Sequence, residues 1–203
     1  MSVLRYSKEN IIQIIESLKK GGVVSFPTET VYALACDATN QKAISRIHEI
    51  KKRDANKPLS LLIHDVKQVE EFVYLDQKIK NIVAKFSPGP LTYVLEVKKN
   101  SEVRTLVKNN FLGFRIPNHK IALEILKGCD FPIVATSVNL SGEEAATSVE
   151  KINIKDSIDE ILDGGESDIG VSSTVAKISR DYGVTILRKG SIEKKEIEKA
   201  LNL

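Results

Sequence analysis

The stretch that decides the fold is residues 21–32, which read GGVVSFPTETVY. A double glycine ends one helix, a short apolar strand follows, and a turn then carries two hydroxyls, a carboxylate and a phenol. Open α/β folds place their ligands at the carboxyl ends of strands, which is where this turn lies. Two further polar clusters occupy equivalent places, Lys51-Lys52-Arg53 and Thr136-Ser137-Val138-Asn139. The pattern predicts one site assembled from several strand ends.

Strands and helices alternate along the rest of the chain. Ser7 is predicted to cap a first helix that runs to about Lys20, and Asn40 a second that ends near Ile50. The other predicted helices cover residues 66–73, 77–86, 121–127, 149–162 and 191 to the end. The predicted strands cover residues 23–26, 59–63, 91–97, 113–116, 133–135, 173–178 and 184–187. This order predicts an α/β fold with a single twisted mixed sheet, packed helices and one domain over residues 1–203.

Composition excludes several classes of protein. The hydrophobic share of 42% and charged share of 28% are ordinary for a globular chain. No apolar run approaches the roughly 20 residues that span a bilayer, and residues 1–6 contain no export signal, so we expect a cytoplasmic protein. Walker and Gly-x-Gly-x-x-Gly loops, metal-ligand spacings and serine-hydrolase elbows are all missing, so no resident metal is predicted. Cys36 and Cys129 are predicted to be reduced thiols.

The basic cluster has two interpretations. If the second helix frays before Pro58, Lys51 and Arg53 share one face of an extended segment and suit a polyphosphate. Otherwise the cluster is a lysine-rich helix end that complements the helix dipole. The net charge of +3 does not decide between them.

Four other polar features follow or interrupt strands. Ser137 and Asn139 supply a donor and an acceptor after one strand, or else only cap a turn. Arg115 lies in an apolar strand and needs an anionic partner, either a substrate carboxylate or a structural salt bridge. Ser173 belongs to a run of hydroxyls suited to an anion, and Arg188 ends the last strand.

Together these motifs resemble those of the YrdC-like family, the L-threonylcarbamoyladenylate synthases. The resemblance covers about residues 8–193 and rests on the order of seven segments: PTETVY at 27–32, KKR at 51–53 with KPL at 57–59, PGPLT at 88–92, RIP at 115–117, SVNLSG at 137–142, STV at 173–175 and LRKG at 187–190. Each is weak alone, and seven in order are specific.

The resemblance implies a basic cavity in a twisted sheet and a nucleotidyltransferase reaction. L-threonine, bicarbonate and ATP, with Mg²⁺ accompanying the ATP, would give threonylcarbamoyl-AMP and pyrophosphate. Downstream transferase proteins would use the product to modify tRNA, and direct contact with tRNA is left open. The implied catalytic residues are Lys51, Arg53, Ser137 and Asn139. The implied ATP ligands are Lys51, Arg53, Lys57, Asn139, Thr147 and Arg188, and the implied threonine ligands are Thr30, Arg115, Ser137 and Ser173.

The chain departs from the family pattern at several positions. Ala33 and Ala35 stand where glycines are common, Val138 replaces an alanine, Lys52 replaces a glycine, and Leu62 stands where some members have histidine. The resemblance also implies that the extra C-terminal domain of longer members is missing. One alternative is a non-catalytic RNA-binding module that uses the same cavity, against which the low aromatic content argues. Another is a carbamoyl-adenylate enzyme of hydrogenase maturation, whose zinc motifs are missing here.

Overall fold

The protein is described by a computed structural model that covers residues 2–98 and 109–202. The strands are β1 (Ser2–Arg5), β2 (Val24–Phe26), β3 (Ala33–Asp37), β4 (Ser60–Leu62), β5 (Leu91–Glu96), β6 (Phe111–Arg115), β7 (Ile133–Ser137), β8 (Glu160–Asp163), β9 (Thr174–Ile178) and β10 (Val184–Arg188). The helices are α1 (Lys8–Lys19), α2 (Gln41–Ile50), α3 (Lys67–Glu70), α4 (Gln77–Phe86), α5 (Lys120–Gly128) and α6 (Lys194–Leu201), with a 3₁₀ turn at Lys155–Ser157. No helix within these ranges is long and apolar enough to cross a membrane.

The ten strands of the described residues form one mixed sheet in the order β1-β8-β2-β3-β7-β4-β6-β5-β9-β10. β8 pairs in parallel with both β1 and β2, while β3 and β7 are antiparallel over residues 33–37 and 133–137. β4 runs parallel to β6, and β5 runs parallel to β9. The predicted α/β class and mixed sheet are therefore confirmed.

Two hydrophobic clusters lie on opposite faces of the sheet because side chains alternate along each strand. Ala33 and Ala35 belong to the cluster beneath α1 and α5, whereas Leu34 and Cys36 belong to the cluster that includes residues of α2, α4 and α6. The helices α1 and α5 also contact each other. Polar side chains of β4, β5, β6 and β9 continue the face that bears α1 and α5, and this part of the face carries the cavity described below.

Local signals for helix starts are confirmed. The Ser7 hydroxyl accepts from the amide of Asn10, and the Asn40 side chain accepts from the amide of Ala43, so both predicted caps close the first turn of a helix. The hairpin turn predicted around Tyr182 joins β9 to β10, and Tyr182 has a left-handed φ of 67°.

The predicted helix over residues 149–162 is wrong. This segment forms turns, the 3₁₀ turn and then β8, which inserts between β1 and β2. Ile152, Ile158 and Ile161 are buried as their apolar spacing suggested, but Glu160 pairs with both Ser2 and Val24. Backbone pairing with two distant strands thus outweighed the local helical pattern. β1 and β3 were not predicted.

Candidate active site

A cavity with a volume of about 810 Å³ lies on the part of the sheet face described above. Nine of the ten predicted site residues line it: Thr30, Lys51, Arg53, Lys57, Arg115, Ser137, Asn139, Ser173 and Arg188. Thr147 is the exception among the predicted residues. Its hydroxyl lies between Lys151 and Glu166 on the surface. The structure therefore brings the predicted residues together from sequence positions 30 to 188, apart from Thr147.

The guanidinium of Arg115 is buried and paired within the protein. Its Nη2 lies 2.6 Å from a carboxylate oxygen of Glu29, and the two side chains are 8% and 5% exposed. Its Nη1 donates to the Thr30 hydroxyl at 2.8 Å, and its Nε donates to the carbonyl of Gly89 at 3.1 Å. Burial lowers the pKa of Arg115, and the charge of Glu29 opposes that shift. Of the two partners left open by the sequence, the structural salt bridge is present.

The turn at residues 28–30 holds this pair in place. The Thr28 hydroxyl lies 3.0 Å from the Thr30 hydroxyl and donates to the carbonyl of Val31 at 2.6 Å. Beyond the turn, the Tyr32 hydroxyl donates to the carbonyl of Gly165 at 2.7 Å, which ties the loop after β8 to the same segment. The PTETVY motif is therefore a packed corner beside the cavity and not an exposed loop.

Lys51 and Arg53 both line the cavity, and the Lys51 side chain is buried against protein acceptors. Lys51 is 2% exposed, and its ammonium donates to the carbonyl of Ser137 at 2.5 Å and to that of Asn139 at 2.6 Å. Burial, followed by the charges of Arg53 and Arg188, lowers the pKa of Lys51 to about 8. Lys52, which lies between Lys51 and Arg53 in the sequence, has a left-handed φ of 47°, so the chain turns after α2.

Arg53 belongs to the loop that follows α2, and its partly buried side chain lies at the mouth of the cavity. Its Nη2 donates to the carbonyl of Pro58 at 3.1 Å, and its Nε approaches the carbonyl of Lys57 at 3.4 Å. Burial lowers the pKa of Arg53. Lys57 is exposed and also lines the cavity.

Ser173 and Arg188 form another part of the cavity wall. Arg188 donates from Nε to the carbonyl of Ser173 and from Nη2 to its hydroxyl, both at 3.0 Å, and Thr92 shares a 2.8 Å hydrogen bond with the same hydroxyl. The LRKG segment at residues 187–190 ends in glycine because a β-carbon at residue 190 would lie 2.3 Å from the backbone nitrogen of Thr174. The backbone at Gly190 therefore lies close to the start of β9, which allows Arg188 to contact Ser173.

The cavity is strongly basic. Among the described residues its lining contains six cationic side chains and one carboxylate: Lys51, Arg53, Lys57, Arg115, Lys177 and Arg188, with Glu143. Such an arrangement suits a ligand with several negative charges. With hydroxyls from Thr30, Ser137 and Ser173 nearby, it also suits a smaller polar molecule held beside that polyanion.

Four of the five departures from the family pattern fall into two groups, and the fifth, Lys52, is exposed. Val138 and Ala35 point into the two hydrophobic clusters and do not meet the cavity. Ala33 and Leu62 line the cavity, and Leu62 pairs with Arg115 across β4 and β6. The exchange of a polar for an apolar side chain at residue 62 therefore changes the surface beside Arg115.

Two residues that contact the site residues, Glu29 beside Arg115 and Thr92 beside Ser173, were not predicted. Glu29 was quoted within the PTETVY motif but given no role, and Thr92 was quoted within PGPLT. Both lie in segments that the motif order had singled out, so their position in a motif was the available signal.

Comparison with known proteins identifies the family of the chain. Residues 16–190 match the family model for Sua5, YciO and YrdC proteins, which carries the description "Telomere recombination". The chain belongs to this family.

Its relatives in the family include named enzymes. It is 33% identical over 198 residues to a Methanocaldococcus jannaschii protein provisionally named threonylcarbamoyl-AMP synthase, covering 95% of this chain and 93% of that one. It is 37% identical over 192 residues to the threonylcarbamoyl-AMP synthase of Bacillus subtilis, covering 93% of this chain and 55% of that one. The chain thus spans about half the length of the Bacillus relative.

Two solved structures of the family superpose closely. Sua5 of Pyrococcus abyssi complexed with L-threonine gives a TM-score of 0.89 at 32% identity, covering 98% of this chain and 61% of that chain. YciO of Escherichia coli gives 0.85 at 26% identity, covering 97% of this chain and 98% of that chain. The chain therefore has the fold of YciO and of the matched part of Sua5.

Proposed function

We propose that the protein is a threonylcarbamoyl-AMP synthase, which forms threonylcarbamoyl-AMP and pyrophosphate from L-threonine, bicarbonate and ATP. The observation that carries the proposal is a single basic cavity lined by nine of the ten residues implied by the family motifs. The relatives named as synthases and the threonine complex of the Pyrococcus protein support the same substrates.

The reaction has two balanced steps. The threonine amine and bicarbonate give a carbamate and water, and a carbamate oxygen then attacks the α-phosphorus of ATP as the bond to pyrophosphate breaks. Negative charge develops on phosphate oxygens, and fixed cations aimed at that charge lower the barrier. Arg53, Lys57 and Arg188 would face the phosphates, and no covalent protein nucleophile is required.

Threonine would lie at the other end, beside Arg115. Its carboxylate would meet a guanidinium already held by Thr30 and Glu29. The hydroxyls of Ser137 and Ser173 would contact its amine or hydroxyl. This arrangement would direct the amine toward the phosphate end, where the carbamate must form.

Mg²⁺ would enter with ATP. Within residues 2–98 and 109–202 no group of three or more His, Cys, Asp or Glu side chains is placed to hold a metal ion. Glu143 is the one carboxylate among the described lining residues and would be the available protein ligand. Bound to phosphate oxygens, the ion would neutralise part of their charge.

The product would serve transferase proteins that modify adenosine in tRNA, in the cytoplasm. The decisive test is pyrophosphate release from ATP, measured with and without L-threonine and with and without bicarbonate. We expect release only when both are present. Salt-sensitive tRNA binding with no release would instead favour the RNA-binding module.

Loss of the Arg115 charge should weaken threonine selectively. We expect Arg115→Ala to raise the threonine dissociation constant at least about thirtyfold and to change that of ATP less than about threefold, because a buried charge-assisted contact is lost. Calorimetry with each substrate separately measures both constants. Equal losses for the two substrates would reject the carboxylate role. The double variant Glu29→Gln with Arg115→Met carries the same test if the single variant unfolds.

A further inference from the structure

Lys51 lines the cavity, but its ammonium group donates to acceptors within the protein. Its three acceptors are the carbonyl of Ser137 at 2.5 Å, the carbonyl of Asn139 at 2.6 Å and the Asn139 Oδ1 at 3.1 Å. A lysine ammonium has three N–H donors and no acceptor, so these three contacts match its full capacity. A phosphate would have to displace one of them.

The same lysine also holds the far end of this turn. The amide of Ser141 donates to the carbonyl of Lys51 at 2.9 Å. Lys51, the residue after α2, therefore contacts the 137–141 turn through both its side chain and its backbone. A side chain that served only to bind phosphate would need neither contact.

Asn139 is satisfied internally as well. Its Oδ1 accepts from Lys51 and from the Ser137 hydroxyl at 2.6 Å. Its Nδ2 donates to the carbonyl of Leu140 at 2.7 Å and to that of Glu143 at 2.8 Å. These four contacts use both acceptor sites and both donors of the amide.

Arg53 presents the contrast. It directs one N–H at each of two carbonyls, whereas a guanidinium has five N–H groups. Donors therefore remain for a phosphate, and Lys57 is exposed at the same mouth of the cavity.

We infer that Lys51 and Asn139 are positioning residues that fix the 137–141 turn, and that Arg53, Lys57 and Arg188 contact the phosphates. The inference rests on the proposed function in taking ATP as the ligand. Turning the ammonium toward phosphate would take a donor from the carbonyls of Ser137 and Asn139 and would leave the Asn139 Oδ1 with only the Ser137 hydroxyl, which is costly. The turn carries the Ser137 hydroxyl, so its position sets that hydroxyl in the cavity.

The test compares Lys51→Met with the matched control Lys57→Met. Both remove one ammonium from the lining of the same cavity and keep an unbranched side chain. Three quantities are measured: amide exchange over residues 137–143 in the ligand-free protein, ATP binding by calorimetry at low and high salt, and kcat and KM for ATP in pyrophosphate release.

For Lys51→Met we expect amide exchange over residues 137–143 at least about tenfold faster, with exchange in α4 unchanged. We expect kcat at least about a hundredfold lower with KM for ATP nearly constant, since a displaced group impairs the reaction geometry. The salt dependence of ATP binding should equal that of the wild type. Lys57→Met should leave exchange unchanged and weaken the salt dependence.

Unchanged exchange in Lys51→Met would overturn the inference, as would a weakened salt dependence of its ATP binding. A normal kcat in the folded variant would reduce Lys51 to a stabilising role and would also overturn it. If the wild type binds no ATP, the proposed function fails, and the exchange measurement still decides whether Lys51 holds the turn.

A crystal structure of the wild type with ATP covers the case in which Lys51→Met does not fold. We expect the Lys51 ammonium to remain on the carbonyls of Ser137 and Asn139. A phosphate oxygen within about 3 Å of that nitrogen would overturn the inference.

Discussion

Replacement of Arg53 by alanine is expected to lower the rate of pyrophosphate release at least about 10³-fold while leaving the fold intact. Arg53 lies at the cavity mouth and keeps N–H groups beyond those directed at Lys57 and Pro58. Under the proposed function, Arg53 faces the transferring phosphate, and its removal loses stabilisation where charge develops. Arg53 is partly buried and its carbonyl partners belong to exposed residues, so truncation leaves no buried partner unpaired.

The measurement is pyrophosphate release at saturating threonine, bicarbonate and ATP. Arg46→Ala is the matched control, because Arg46 lies on α2, just before the loop that carries Arg53, and pairs with Asp159 outside the cavity lining. We expect near-normal turnover in that control. Wild-type turnover in folded Arg53→Ala would remove Arg53 from the site.

Replacement of Glu29 by alanine is expected to lower the free energy of unfolding by about 3–5 kcal/mol. The loss arises because Arg115 would remain buried with no anionic partner. Within the described residues neither Glu29 oxygen accepts a hydrogen bond of good geometry, so its stabilising contribution is the charge itself. Glu29→Gln keeps the volume, and we expect it to lose a large part of the same free energy.

Urea unfolding measures this change as a lower midpoint at constant slope. Glu198→Ala is the control, because Glu198 pairs with Lys194 on the exposed surface of α6 and such pairs contribute less than about 1 kcal/mol. A loss below about 1 kcal/mol in Glu29→Ala would mean that the pair is well solvated and does not hold Arg115.

Local chemistry was enough to predict much of the fold. Ser7 and Asn40 accept from amides in the first turns of α1 and α2, because short polar side chains at those positions satisfy donors that no sequence-distant contact supplies. The alternation of strands and helices then indicated the mixed sheet. Each of these signals lies within a few residues of the structure it specifies.

Strands held by distant partners were not predictable in this way. β3 reads ALACD, which has small residues and little strand propensity, and it forms because β2 and β7 pair with it on either side. β8 has apolar spacing that also fits a helix, and pairing with β1 and β2 decides its conformation. Propensity within a window carries no information about such neighbours.

The site was predictable as a set of residues more than as a set of contacts. The motif order selected nine side chains that meet in one cavity. The sequence did not predict that Lys51 would be buried, since a run of lysines and arginines normally lies in solvent. It left two partners open for Arg115, and the choice of Glu29 depends on how residues 27–32 fold back on β6.

The residues that line the cavity lie far apart in the sequence, which has a consequence for synthesis on the ribosome. The lining runs from Thr28 to Arg188, and β9, which enters the sheet beside β5, is completed only after residue 178. A nascent chain that has emerged only as far as β7 carries Arg53 and Ser137 but lacks Ser173 and Arg188. Contacts between segments so distant in sequence form late in folding. Cellular nucleotide would therefore engage finished chains and leave those still being translated unoccupied.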